Sequence, residues 1–152
     1  MRLLVDGTNV MGSRPDGWWR DRPGAARRLV AQIVAMRRAA DDAVSECTVV
    51  FDGRPLSDLP DGAGSDVAGF DVASLEVVVL WARRRGPDAA DDRIVEWLST
   101  DPRPSAVTVV TSDRRLAERA RALGATVVGA GWLLDRLSDG FSHTNDRGRG
   151  RC

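Results

Sequence analysis

Apolar residues in this chain fall into short unbroken runs, separated by stretches in which they recur every three or four positions. The runs are "RLLV" (Arg2 to Val5), "CTVVF" (Cys47 to Phe51), a strand within "VASLEVVVLWA" (Val72 to Ala82), "AVTVVT" (Ala106 to Thr111) and "TVV" (Thr126 to Val128). A continuous apolar run of this length suits a strand buried on both faces. Between the runs, Pro23 to Ala43 places Leu29, Ile33, Met36 and Ala40 on one helical face. Ala89 to Ser99, Arg114 to Leu123 and Gly131 to Leu137 also read as helices. Strands alternating with helices predict an α/β fold, a three-layer α/β/α sandwich around a central, mostly parallel sheet of about five strands. The Gly-, Asp- and Ser-rich stretch Pro55 to Gly69 has no core face and reads as a mobile loop. The pattern predicts one domain over residues 1–139, followed by a disordered Arg/Gly tail over 140–152 that contains "RGRGR".

Open parallel sheets bind ligands outside the carboxyl ends of their strands, so the residues at those ends matter most. Strand one ends at Asp6, followed by Thr8 and Asn9, and strand two ends at Asp52. Strand three leads into "RRRGPDAADDRIVEWL", and strand four ends in Thr111, Ser112 and Asp113. A single Asp after a strand is commonly a turn or cap residue. Four strand ends bearing acids on one edge of a small sheet is a much less common accident.

Helical spacing sorts these acids. Val95 and Leu98 mark the buried face of the helix after strand three, and Asp91 falls on that face. Asp92 aligns with Glu96 and Ser99 and is expected to meet water. Asp88 reads as an N-cap, with Asp91 three residues on resembling a capping box. In the next helix Leu116, Ala117 and Ala120 form the apolar face, and Asp113 falls on it. Asp91 and Asp113 are therefore either caps or acids aimed inward at helix N-termini, where the dipole tolerates them.

Carboxylates gathered closely repel one another unless a cation joins them. Oxygen ligands without His or Cys suit Mg²⁺ or Mn²⁺. The lone His143 lies in the tail, which argues against zinc. Net charge is zero, yet all 22 basic residues are arginine, and arginines flank each acid. Arg14 and Arg20 follow Asp6, Arg54 follows Asp52, Arg84 and Arg85 precede Asp91, and Arg114 and Arg115 follow Asp113. An acidic centre with a basic rim fits a metal site for a polyanion, although each arginine could instead serve an ordinary surface pair. Trp18 and Trp19 either stack on bases or staple the first helix to the sheet. Trp81 and Trp97 read as core. Two cysteines make no disulfide framework, and Cys47 is expected to be a small buried residue. No run approaches the roughly 20 apolar residues that span a bilayer, and no secretory signal is evident, so a cytoplasmic protein is expected.

"VDGTNVMG", "VVFDG", "PDAADDRIVEWL" and "VVTSDRRLAERA", in this order, resemble the PIN-like nucleases, specifically the NYN domain and its bacterial YacP-like branch. The resemblance covers roughly Arg2 to Leu137. It implies a metal-dependent endoribonuclease in which Asp6, Asp91 and Asp113 bind Mg²⁺ or Mn²⁺ and carry catalysis. Asp52 would be an additional metal-binding acid, with Asn9, Thr111 and Ser112 in support. The arginines named above would bind RNA, either free or presented on the ribosome. Haloacid-dehalogenase phosphatases also carry an Asp-Gly-Thr, but need an Asp two residues before the acid-base Asp, and Leu4 stands there. A different class of reading is a non-catalytic RNA- or ribosome-binding module with a vestigial acidic site. A third is a DNA or flap nuclease, although the short chain offers no obvious helical arch for threading a strand.

Overall fold

A computed structural model describes residues 1–39, 44–62, 77–86 and 88–138. In chain order the elements are β1 (Arg2–Asp6), α1 (Gly7–Gly12), α2 (Arg22–Ala39), β2 (Glu46–Phe51), β3 (Val78–Trp81), α3 (Ala89–Thr100), β4 (Val107–Val110), α4 (Arg114–Ala122) and β5 (Thr126–Val128). A last helix, α5, spans residues 130–138. Short 3₁₀ turns at Trp18–Arg20 and Pro104–Ala106 lead into α2 and β4.

All five strands are parallel, in the order β3-β2-β1-β4-β5. Side chains alternate across a strand, so β1 sends Leu3 and Val5 to one face and Leu4 to the other. Leu3 and Val5 join α1, α2 and α5 through Val10, Leu29, Ile33 and Leu133. Leu4 joins α3 and α4 through Ile94, Leu98, Leu116 and Ala120. The result is the α/β/α sandwich that the run pattern predicts. Cys47 is free and buried, and burial pushes its thiol up to about 12, leaving it inert near neutral pH.

Several boundaries move. The first long helix begins at Arg22 and is described to Ala39, and residues 40–43 lie outside the described residues. The third strand is Val78–Trp81 only, and 71–76 lie outside. So do 63–69 of the predicted loop and the tail 140–152. Trp81 is core and donates its indole N–H to the Leu59 carbonyl at 2.9 Å. Trp97 is half-buried instead, with the Arg2 guanidinium 5.7 Å from its ring centre. Arg2 also grips Asp101 through two bonds (3.1 and 2.6 Å) and Glu46 at 2.9 Å. This cluster ties the amino edge of the sheet, away from the acids.

The winding direction reverses between β1 and β4. From β1 the chain moves outward to β2 and β3, and it then returns to add β4 and β5 on the other side. Loops that diverge at such a reversal leave a crevice at the carboxyl ends of the two central strands.

Candidate metal centre

The acids are delivered to that crevice by local rules. Asp6 ends β1 and is also the N-cap of α1, its Oδ1 accepting the Asn9 N–H at 3.4 Å. Gly7 makes this turn feasible. A Cβ there would lie 2.5 Å from the Phe51 ring and 2.8 Å from Val49, so a side chain would push α1 off β2. Thr8 then accepts the Asp52 N–H at 2.9 Å, joining the end of β2 to α1. Asp113 caps α4, accepting the N–H groups of Arg115 (2.9 Å) and Leu116 (3.2 Å). Asp91 sits in the first turn of α3 at 9% exposure, on the stripe completed by Ile94 and Leu98.

Asp6, Asn9, Asp52, Asp88, Asp91 and Asp113 line one open cleft of about 350 Å³, with Thr8 and Trp18 in its walls. Two long-range hydrogen bonds close the gap between β1 and β4. The buried Thr111 hydroxyl donates to Asp6 Oδ2 at 2.9 Å and itself accepts the Asp113 N–H at 3.1 Å. Asn9 Oδ1 accepts the Ser112 N–H at 2.8 Å, and Ser112 Oγ accepts the Ala130 N–H at 2.8 Å. Asn9, Thr111 and Ser112 thus hold the site's frame.

The electrostatics are those of crowded carboxylates. Burial, at 3% exposure, drives the Asp6 carboxyl up to about 7. The negative charges of Asp91 and Asp113 push the same way, while the Thr111 and Asn9 bonds partly oppose them. Asp91 is also raised, by burial first and then by Asp113 and Asp88, against Arg119 and Arg115. Such a site holds more negative charge than it can carry comfortably, and a cation would relieve it. Among the described residues no three acids, histidines or cysteines stand close enough to enclose one ion by themselves. The all-oxygen donor set therefore fits an ion that binds through one or two carboxylates and keeps its waters, the habit of Mg²⁺.

Some assignments change. Asp88 stands at the N-cap of α3, but φ is +64° and its side chain makes no capping bond, so no capping box forms. It lines the cleft instead. Asp92 is half-buried rather than solvated, paired with Arg84 and, at 3.1 Å, with Arg119. Val95 is half-buried, and Ile94 takes its place on the core face. Asp52 reaches the cleft but pairs with Arg22 at 2.7 Å.

The arginine rim divides similarly. Arg84 serves Asp92, Arg115 stands 3.6 Å from Asp88, and Arg20 lies 6.0 Å over the Trp19 ring. Arg14 is half-buried, and burial lowers its pKa. Arg54, Arg85 and Arg114 are exposed, with no ion pair among the described residues. The two adjacent tryptophans take different places. Trp18 packs on the core cluster and walls the cleft, whereas Trp19 is 59% exposed and meets it edge to face at 6.3 Å. Thr8 had no assigned role in the sequence, and Asp88 was read there only as a cap. Thr8 lies inside the quoted "DGTN", whereas only the left-handed turn at Asp88 reveals its place.

A parallel sheet that reverses between β1 and β4, with acids at that reversal, defines a PIN-like α/β domain. The chain belongs to the YacP-like NYN domain family, whose match spans residues 3–147. NYN domains are a nuclease-like, RNA-associated family. The crystal structure of Rae1 (YacP) from Bacillus subtilis superposes with a TM-score of 0.65 at 22% identity, covering 98% of this chain and 80% of that one. A mutant of the same protein gives 0.68 at 21% identity, covering 97% and 81%. These likenesses establish the fold. No curated protein matches the chain. Among the described residues no helix is long and apolar enough to cross a membrane.

Proposed function

We propose that the protein is a divalent-metal-dependent endoribonuclease. The observation carrying this reading is that Asp6, Asp91 and Asp113 come from three separate strand ends into one cleft, with Asp6 desolvated and repelled by the other two. Asp6, Asp91 and Asp113, with Asp52 as an additional acid, would hold Mg²⁺ or Mn²⁺, one or two of them directly and the rest through the ion's waters. Bound there, such an ion would supply an activated water and would neutralise charge on the leaving oxygen. The chain's own part is orientation. Thr111 fixes Asp6 Oδ2, Asp113 is held by two backbone N–H groups, and the Asn9–Ser112 bond keeps the strand ends at a set distance. Exposed arginines would hold the RNA backbone, which positions the strand without reading its sequence.

The test is cleavage of mixed cellular RNA with Mn²⁺, Mg²⁺ or EDTA, wild type beside Asp6→Asn. Metal-dependent cutting that disappears in the variant supports the proposal, and equal cutting by the variant ends it. A second reading, an RNA-binding module without catalysis, draws on the lack of three mutually close ligands among the described residues. It predicts salt-sensitive RNA binding indifferent to EDTA and no cutting under either ion.

A further inference from the structure

Beyond the wall formed by Thr111 and Ser112 lies a second cleft, of about 420 Å³. Ala117, Val127, Val128 and Gly129 contribute to its lining, together with Arg114, Glu118 and Arg121 from α4. It is separate from the acidic cleft, yet Thr111 contributes to both, lining this one and donating to Asp6 on the other side.

Helix α4 carries its arginines in two sets. Arg115 and Arg119 face the start of α3, at 3.6 Å from Asp88, which precedes the helix, and 3.1 Å from Asp92 within it. Arg114 and Arg121 stand seven residues apart, two turns and about 10 Å along one face of the helix. Both line the second cleft, and neither has an ion pair among the described residues. Glu118 lies between them on that face but closes on neither within ion-pair distance. Two unpaired guanidiniums beside one carboxylate leave a net positive cleft that opens next to the acidic one. Guanidinium forks suit phosphate oxygens, which accept two parallel hydrogen bonds.

Resting on the nuclease reading above, we propose that this cleft takes the RNA backbone adjoining the scissile phosphate. A single strand seated over Asp6 and Asp113 passes Ser112 and lays its neighbouring phosphates on Arg114 and Arg121. Glu118 faces the same backbone and opposes it, which sets a limit on affinity.

The experiment measures binding of a fluorescent single-stranded oligouridylate in EDTA, across a salt series. The full chain, Arg114→Ala/Arg121→Ala, Glu118→Gln and Arg103→Ala are compared. Arg103 is an exposed arginine at the opposite, amino edge of the sheet and serves as the control for charge alone. Loss of two phosphate contacts reduces the salt slope by about 1.4, which, relative to about 1 M salt, is roughly 70-fold weaker binding at about 50 mM salt. Glu118→Gln is expected to bind more tightly than wild type. A double variant whose slope matches the Arg103 control, or a Glu118→Gln protein that binds less tightly, overturns the path. Wild type that binds no oligouridylate at low salt overturns it together with the RNA reading. Cleavage with Mn²⁺ is scored separately, so a failed nuclease and a failed strand path give different results. Matching thermal unfolding curves for all four proteins exclude misfolding as the cause.

Discussion

Asp6→Asn is expected to make the metal-free protein more stable while abolishing its proposed chemistry. The Asp6 carboxyl titrates at about 7 in the folded state against 3.8 in an unperturbed chain. Between those values the unfolded chain has released its proton and the folded one still holds it, so stability falls as pH rises through the window and is flat above it. The full shift corresponds to about 4 kcal/mol. Asparagine removes that burden, keeps one oxygen for the Thr111 hydroxyl, and gives up the long bond from the Asn9 N–H, at a cost of about 1 kcal/mol. The net gain at about pH 8 is therefore roughly 2 to 3 kcal/mol. Because the unfolded carboxylate is already ionised at about pH 5, the gap between variant and wild type should widen by roughly 2 to 3 kcal/mol from there to about pH 8. The assay is urea unfolding in EDTA at both pH values. A gap that does not change with pH, or a variant less stable than wild type at the higher pH, refutes the argument that Asp6 is held as a desolvated carboxylate. Adding Mg²⁺ should raise the wild-type midpoint and leave Asp6→Asn unchanged, because an ion bound only by the folded state stabilises by mass action.

Asp113 both caps α4 and is a proposed ligand, and serine separates the two roles: Asp113→Ser should retain the cap and lose cleavage, whereas Asp113→Ala should also lose about 1 kcal/mol of stability in urea unfolding. Thr111→Val strands the Asp113 N–H and removes the donor to Asp6 Oδ2, so a loss of about 1 to 3 kcal/mol is expected, together with a further upward shift of the Asp6 carboxyl measurable by NMR titration. Trp19→Ala should weaken single-stranded RNA binding by about 1 to 3 kcal/mol if a base stacks there, without changing the unfolding midpoint. Trp18→Ala should shift the unfolding midpoint because that ring packs on the core. Equal stability loss in both tryptophan variants would make the pair a structural staple.

The sheet was legible because β1 to β4 are buried on both faces and therefore read as nearly unbroken apolar runs, whereas β5, at the edge, is only half-buried and shows as the short "TVV". The inward placement of Asp91 was equally legible, since helical spacing alone puts it on the buried face of α3. What failed were features set by tertiary partners. Asp92 was expected in water, but Arg84 and Arg119 arrive from other elements to hold it. Trp97 was expected in the core, but the Arg2 guanidinium from the far end of the chain covers it. Asp88 carried the usual cap sequence, yet its backbone turns left-handed at φ +64° and no side-chain cap forms. Neither periodicity nor residue type encodes that turn. The split between paired and unpaired arginines was likewise invisible, because it depends on which face of α4 meets α3.

The bonds that frame the site join Asp6 to Thr111 and Asn9 to Ser112, spanning 105 and 103 residues of chain. Neither half of the site exists without the other. During synthesis at about 5 to 20 residues per second, a nascent chain would go roughly 5 to 20 s before its first and last framing residues had both been made. For that interval the growing polypeptide carries Asp6 with no Thr111 to orient it and no Asp113 beside it. The proposed cleavage chemistry would thereby be withheld from the messenger under translation by chain order alone.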